Sequence, residues 1–250
     1  MSFQIQMIGT GSAFAKTYYN TNALITCQNR KLLIDCGFTA PLSLHELGVT
    51  PDQLDGILIT HIHADHVGGL EEIAFRLLYQ YNRKRTKLFL TAELAEQLWE
   101  HTLKGGMYND DENFVELNDY FEVVLLEDNV QSELFEGLTV ELLPTLHIRR
   151  KLSYSLFINS SFFYSADIQF NAELIVDEVV GRRNCQTIFH DCQLSGRGIV
   201  HATLEQLLTL PEPVQSRMYL MHYDDQMPAY IGQTGQMRFI RQHEALTVTE

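Results

Sequence analysis

Short apolar runs separated by turn residues recur along the chain and predict β-strands. The runs are rich in Ile, Leu, Val and Phe, and several alternate between apolar and polar positions. Such alternation turns one face of a strand toward a core. The pattern predicts strands at Ile5–Ile8, Ala23–Thr26, Lys31–Asp35, Gly56–Thr60, Lys87–Thr91, Val123–Leu126, Leu138–Leu143, Ser155–Ile158, Phe162–Ser165, Thr187–His190 and Met218–Met221.

Helical patterns lie among these strands, with apolar positions three and four residues apart. Pro41 suits the first turn of one helix, and Gly48 suits its C-terminal end. Strands that alternate with helices, together with hairpin-like neighbours, favour an α/β fold of mixed sheets covered by helices. The predicted helices are Ala40–Leu47, Leu70–Tyr81, Ala92–Leu103, Ala172–Val179 and Thr203–Leu210.

We expect one domain over residues 1–250. No internal repeat of solenoid length and no low-complexity linker divides the chain. The least patterned stretch, residues 105–120, combines a Gly-Gly pair with a polar run, and it predicts a loop-rich insertion. Such loops often carry contacts to substrates or partners.

The net charge of −14 argues against a protein that grips long nucleic acid, because such binding needs clustered Lys and Arg. A small anionic ligand remains compatible, since bound metal ions can reverse the local field. No apolar run approaches the ~20 residues of a membrane span, and no targeting peptide precedes the first strand. We therefore expect a cytoplasmic protein, in the host cell if a phage encodes it. Its four cysteines form no C-x-x-C pair and are expected to be reduced and buried.

A dense group of ligand-type residues follows the predicted strand Gly56–Thr60. In an extended segment, residues two apart project to one side, so His61 and His63 can bind one ion. The turn that follows directs Asp65 and His66 toward a second ion. Imidazole and carboxylate ligands without thiolate suit zinc, with manganese or iron as alternatives. A polar loop that merely holds three histidines is the weaker interpretation of this density.

Three further residues of ligand type stand just after predicted strands, namely His147, Asp167 and His222. Taken singly, each could be an ordinary polar residue at a strand end. Together they supply what two metal centres need to complete their ligand shells. Two adjacent divalent ions activate water and stabilise negative charge on oxygen, and this chemistry suits phosphodiester or ester hydrolysis.

A proton donor to the leaving oxygen is the remaining requirement of phosphodiester cleavage. Asp191 ends an apolar strand, and His201 precedes a predicted helix. A helix N-terminus lowers a histidine pKa unless a carboxylate opposes it, and Asp191 can supply that opposition. His201 could then protonate the leaving oxygen, while Asp65 orients the attacking water. The alternative is that Asp191 caps a turn and His201 is a surface residue.

In this order, His61-x-His63-x-Asp65-His66 and the later strand-end residues resemble the metallo-β-lactamase-fold hydrolases over essentially the whole chain. The resemblance implies an αββα sandwich with the site at one edge of its two sheets. It also implies seven ligands for two metals, namely His61, His63 and His147 on one, Asp65, His66 and His222 on the other, and Asp167 between them.

The start Ile8–Ala13, with the Asp191 and His201 segments, resembles the phosphodiesterase branch that includes tRNA 3′-processing endoribonuclease Z. That enzyme carries a tRNA-gripping arm where this chain has only Ile148–Ala166, which is enough for a tight strand pair. A closer likeness is to the anti-Pycsar proteins. It is carried by Leu33–Gly37, His63–Glu71 and Phe189–Ser195.

This likeness implies a homodimeric phosphodiesterase that hydrolyses cyclic mononucleotides such as cyclic CMP and cyclic UMP and so disarms a nucleotide-signalled bacterial defence. Similar enzymes cover the base with loop aromatics, and Tyr108 is the candidate for this contact here. The interpretation that Tyr108 is simply an exposed loop residue has at least equal weight. The alternatives are an endoribonuclease Z-like nuclease, a small ester or thioester hydrolase, and a sponge that binds a nucleotide without turnover.

Overall fold

Two sheets of seven strands each form the centre of the computed structural model, which describes residues 2–249. Met1 and Glu250, which the expected domain includes, lie outside the described residues. In chain order the strands are β1 Ser2–Gly9, β2 Asn22–Cys27, β3 Arg30–Ile34, β4 Gly56–Leu58, β5 Lys87–Leu90, β6 Glu122–Leu125, β7 Gln131–Phe135, β8 Leu138–Pro144, β9 Tyr154–Ile158, β10 Phe162–Tyr164, β11 Thr187–Asp191, β12 Met218–Met221, β13 Arg238–Phe239 and β14 Ala245–Thr249.

Both sheets are mixed. The first has the order β14-β1-β2-β3-β4-β5-β6 and the second has the order β13-β12-β11-β10-β9-β8-β7. In the first sheet β3, β4, β5 and β6 are parallel, and β1 runs the same way because β2 is antiparallel to both of its neighbours. In the second sheet β10 to β13 are parallel, and β8 shares their direction through antiparallel β9.

The predicted helices are present with shifted ends, and they complete an αββα sandwich. The predicted Ala92–Leu103 is α-helical to Leu98 and π-helical over Trp99–Leu103, while the predicted Ala172–Val179 is mainly the π-helix Leu174–Arg182. The stretch 105–120, expected to be loop-rich, contains short helical turns. The α-helices are α1 Ala40–Glu46, α2 Ala64–Val67, α3 Leu70–Gln80, α4 Ala92–Leu98, α5 Lys104–Met107, α6 Leu117–Tyr120, α7 Leu204–Leu207 and α8 Glu212–Gln215. Three 3-10 turns are Pro51–Gln53, Asp110–Glu112 and Met227–Tyr230.

Three strands escaped prediction because their sequences lack the apolar pattern of a buried strand. β7 reads Gln-Ser-Glu-Leu-Phe with mostly partly exposed side chains, and β13 has only two residues. β14 lies at the edge of the first sheet and is largely exposed. Edge strands have one unpaired side and bury less apolar surface, so hydrophobic periodicity identifies them poorly.

Aromatic side chains join the two sheets. Phe3 of β1 meets Phe162 of β10 edge to face at 5.8 Å, and Phe89 of β5 meets Phe135 of β7 at 5.7 Å. Burying a phenylalanine contributes ~1.5–3 kcal/mol relative to exposure, so these contacts help to hold the two sheets together. No helix within residues 2–249 has the length and apolar character that a membrane span requires.

We predict that the four cysteines are unreactive in the native protein. All four are free and at most 2% exposed, and burial raises the pKa of the Cys185 thiol to about 11. Because the thiolate is the nucleophile, Ellman's reagent at pH 8 should titrate no thiol until the protein is unfolded, and four thiols afterwards. Rapid reaction of one thiol in the folded protein would contradict this arrangement.

Candidate metal centre and active site

Ionisable side chains gather where strands of both sheets reach their carboxyl ends. β3 and β4 of the first sheet are parallel, as are β8, β10, β11 and β12 of the second. Residues that follow parallel strands emerge at the same edge of a sheet. The residues at or just after these ends that meet within one site are Asp35, His61, His147, Asp167, Asp191 and His222.

The segment after β4 delivers four of the predicted ligands. The chain is extended at His63, and α2 begins at the next residue. Asp65 and His66 therefore lie together within the single turn of this helix. This turn packs tightly against the loop after β3. A Cβ on Gly37 would lie only 1.9 Å from the Asp65 carbonyl oxygen, so that position accepts only glycine.

One group of facing donor atoms comprises His61, His63, His147 and Asp167. The His63 Nδ1 lies 3.1 Å from the His61 Nε2 and 3.3 Å from the His147 Nε2. The Asp167 Oδ2 lies 3.6 Å from the His61 Nε2 and 3.8 Å from the His147 Nε2. We call this set the three-histidine group.

The second group comprises Asp65, His66, His222 and the same Asp167. The Asp65 Oδ2 lies 3.2 Å from the His66 Nε2 and 3.4 Å from the His222 Nε2. The other carboxylate oxygen of Asp167, Oδ1, lies 3.3 and 3.4 Å from the same two nitrogens. We call this set the two-histidine group. Asp167 therefore offers one oxygen to each group.

These distances fit two metal ions. Four ligands at about 2.0–2.1 Å around a tetrahedral zinc lie ~3.3 Å from one another, and the separations above fall around that value. Moreover, the His66 Nε2 and the Asp167 Oδ1 are buried and have no hydrogen-bond partner. Buried polar atoms are rarely left unpaired in this way, so a cation between the donor atoms accounts for them.

The histidines are oriented by bonds at their other ring nitrogens. The Nδ1 of His66 lies 2.8 Å from a carboxylate oxygen of Asp35, and the Nδ1 of His147 lies 2.8 Å from the Val200 carbonyl oxygen. Asp35 is fully buried and also accepts hydrogen bonds from the amide and hydroxyl of Thr60. Carboxylates and carbonyls in this role fix the imidazole tautomer that faces a metal.

Electrostatics divides the histidines into two kinds. Burial lowers the pKa of His61, His63 and His147, which favours the neutral imidazole that binds metals. Burial would also lower the pKa of His66, but the surrounding carboxylates outweigh it and raise that pKa well above its usual value. Burial would raise the pKa of Asp167, yet the neighbouring histidines hold it well below its usual value. The two ligand carboxylates, Asp65 and Asp167, are thus kept ionised.

Asp191 and His201 form the predicted pair. The His201 Nδ1 lies 2.7 Å from the Asp191 Oδ2, and the imidazole stacks on His222 with ring centroids 4.8 Å apart. Asp191 is fully buried, and its other oxygen lies 3.4 Å from the His222 Nδ1. Burial would lower the pKa of His201, but Asp191 outweighs it and raises that pKa. The same Asp191 Oδ2 also accepts a hydrogen bond from the Ile168 amide at 3.1 Å, so this carboxylate holds both the backbone and the imidazole.

A cavity of about 450 Å³ opens over the two groups. Its polar side carries ligand side chains and His201, while Phe14 and Phe38 line it from the first sheet. Neither phenylalanine was predicted from the sequence, where the available signal is a large apolar residue inside a polar, glycine-containing loop. Tyr108, the candidate for base contact, is 49% exposed and is not among the residues that line this cavity.

The sequence profile of the family described as "Anti-Pycsar protein Apyc1" matches residues 3–246. The chain belongs to this family. An anti-Pycsar protein Apyc1 from Paenibacillus xerothermodurans is 57% identical over 251 residues, covering 100% of this chain and 99% of that protein. An Apyc1 from Bacillus phage vB_BveM-Goe7 is 41% identical, with 96% of each chain covered. Apyc1 relatives thus occur in bacteria and in phages.

Solved structures show that this Apyc1-family chain has the metallo-β-lactamase fold. A diphosphatase from the PhnP family superimposes with a TM-score of 0.77 at 17% identity, covering 99% of this chain and 98% of that one. The metallo-β-lactamase fold protein YhfI from Bacillus subtilis gives 0.75 at 15% identity, covering 99% and 100%. The short form of human tRNase Z gives 0.69 at 16% identity, covering 97% and 98%. The predicted fold class is therefore confirmed.

We predict that the Apyc1-family chain binds two divalent ions through one shared carboxylate. After loading with zinc, the wild type should hold two ions per chain by elemental mass spectrometry. His61→Ala should hold about one, because it removes a ligand from the three-histidine group only, whereas Asp167→Ala should hold less than one. Exposed His45→Ala is the matched control and should hold two. Equal losses in His61→Ala and Asp167→Ala would contradict the shared carboxylate.

Proposed function

We propose that the protein is a two-metal phosphodiesterase that hydrolyses cyclic mononucleotides to linear nucleoside monophosphates. Its substrates would include cyclic CMP and cyclic UMP, with cyclic AMP and cyclic GMP as further candidates. The observation that carries the proposal is the Asp167 carboxylate shared between two ligand groups, with the Asp191–His201 pair beside it. Membership of the anti-Pycsar family supports a role against cyclic-nucleotide signalling in antiphage defence, exercised in the bacterial cytoplasm.

The three-histidine group would hold one ion and the two-histidine group would hold the other. Asp167 would bind both ions. Zinc suits this set of imidazoles and carboxylates, and manganese is the alternative. When bound, the ions would activate a water molecule at neutral pH and neutralise charge on the phosphate. One oxygen of Asp65 faces the histidines of its group, and the carboxylate would also orient the attacking water.

His201 would protonate the oxygen that leaves when the cyclic phosphodiester opens. Its Nδ1 is held by Asp191, so the Nε2 is the nitrogen available to the cavity. Because Asp191 raises the pKa of His201, the imidazole carries its proton more readily near neutral pH than a free histidine would. This residue therefore supplies the general acid that a poor leaving group needs.

The size and charge of the protein favour a small substrate. Between His147 and Asp167 the chain forms only a short loop and the tight hairpin of β9 and β10, which leaves no arm to hold an RNA. The net charge of −14 also opposes binding of a long polyanion. A cavity of about 450 Å³ lies within the range of small-molecule sites. These observations favour a cyclic mononucleotide over precursor tRNA.

We also propose that the protein acts as a homodimer and that Tyr108 contacts the base. Tyr108 follows α5, is half exposed and does not line the cavity of its own chain. A second copy of the chain is therefore the route by which this ring would reach the substrate. Stacking on a base would contribute ~1–3 kcal/mol.

We predict that the metal-loaded protein converts cyclic mononucleotides to linear monophosphates, as measured by chromatography of a panel of cyclic nucleotides. His63→Ala should lower the rate by at least 100-fold, because it removes a ligand that is partly open to the cavity, while exposed His45→Ala should leave it unchanged. Retention of unmodified nucleotide would indicate a sponge instead. Cleavage of precursor tRNA with steep salt dependence would indicate a nuclease.

We predict that the loss of activity in His201→Ala depends on the leaving group. For a cyclic nucleotide, whose leaving group is an alkoxide, the turnover number should fall by about 10²–10⁴-fold. For bis(4-nitrophenyl) phosphate, whose phenolate leaves without protonation, the loss should be at least tenfold smaller. Equal losses for the two substrates would show that His201 acts through its packing on His222 rather than as an acid.

A further inference from the structure

We propose that Phe14 and Phe38 form an aromatic wall that binds the base of the substrate. This inference rests on the proposed function, because it assigns the part of the nucleotide that the metal ligands leave unrecognised. Both rings line the cavity over the two ligand groups.

The two phenylalanines are unusually exposed for their type. Phe14 is 87% exposed and Phe38 is 50% exposed, whereas the phenylalanines of the strands are mostly buried. Burying such a side chain is favourable, and here two of them forgo much of that gain beside one cavity. Clustered exposed apolar surface commonly indicates a binding site. A ligand in the cavity would supply the missing burial.

Both rings are carried by a fixed backbone. Phe14 lies in a turn closed by the amide of Ala15 and the carbonyl of Ser12, at 3.1 Å, and the Ser12 amide donates to the Tyr223 carbonyl at 3.0 Å. Two residues beyond Phe14, the Lys16 amide donates to the Asp225 carboxylate at 2.9 Å. These bonds tie the loop to residues that follow β12 of the second sheet. They therefore hold in place the backbone that carries the Phe14 ring.

The loop of Phe38 is attached directly to the ligand segment. The Phe38 amide donates to the Ala64 carbonyl at 3.3 Å, and a Cβ on Gly68 would lie 3.2 Å from the Phe38 Cβ. The preceding Gly37 contacts the backbone of Asp65. The distance from this ring to the two-histidine group is therefore set by covalent and packing constraints.

The cavity thus has two chemically different kinds of lining. Histidines and carboxylates suited to a metal-bound anion, including His63 and Asp167, form one kind, and the aromatic wall forms the other. A ligand with an anionic end and a flat, apolar end matches both, and a nucleotide has this form. Because every base has a π-face, stacking on phenylalanine tolerates purines and pyrimidines. The wall therefore provides affinity for a base without selecting one base strongly.

The test is a binding comparison with two probes. Metal-loaded protein would be titrated with CMP and with ribose 5-phosphate, which has the phosphate and sugar but no base. Phe14→Ala and Phe38→Ala should each bind CMP about tenfold more weakly and ribose 5-phosphate with unchanged affinity. Phe14→Tyr should retain CMP binding, and Phe14→Leu, which keeps apolar bulk but loses the ring, should not. Tyr79→Ala, an exposed aromatic outside the cavity, is the matched control.

Equal loss for both probes, or no loss for CMP, would overturn the aromatic wall. Hydrolysis separates this inference from the proposed function. If the wild type cleaves no cyclic nucleotide but the contrast between CMP and ribose 5-phosphate holds, the proposed function fails and the aromatic wall stands. If the wild type cleaves cyclic nucleotides and the two alanine variants keep its KM, the aromatic wall fails and the function stands.

Discussion

The carboxylate of Asp167 is the group on which the site depends. It is 2% exposed, and its two oxygens face different sets of histidines. A buried carboxylate is tolerated only when positive charge or hydrogen bonds replace the water it has lost. Here one oxygen has no hydrogen-bond partner, and cations shared with the neighbouring imidazoles would meet this requirement. Any change that moves this residue alters both ligand groups at once.

Strained backbone at the strand ends supports this arrangement. Ala166, Asp35 and His222 adopt left-handed conformations with φ of 49°, 59° and 60°. Such conformations cost about 1–2 kcal/mol for a residue with a Cβ, and they persist where surrounding packing fixes them. Each lies within one residue of the end of a buried strand or directly before a ligand. The apolar core between the sheets therefore holds the ligands in positions that the local chain would not choose.

Much of the fold and of the candidate metal site follows from the sequence because both depend on apolar strands. The predicted ligands stand in the segments that follow such runs, and parallel strands bring their carboxyl ends together. β7 and β14 were missed because partly exposed edge strands lack the apolar pattern. Phe14 and Phe38 were missed for a different reason. Their importance comes from the cavity they share, and contacts between distant loops leave no periodic signal in a sequence.

The proposed metal site would let an acidic protein accept an anionic substrate. The charge of two divalent ions would exceed that of the two ligand carboxylates, Asp65 and Asp167, while His201 pairs with the buried Asp191. With both ions bound, the field would be favourable to a phosphate inside the cavity and unfavourable across the outer surface, where the net charge of −14 dominates. A small anion meets only the first field once it has entered. A long polyanion would have to lie in both fields, so the same electrostatics would admit a small anion such as a mononucleotide and disfavour RNA.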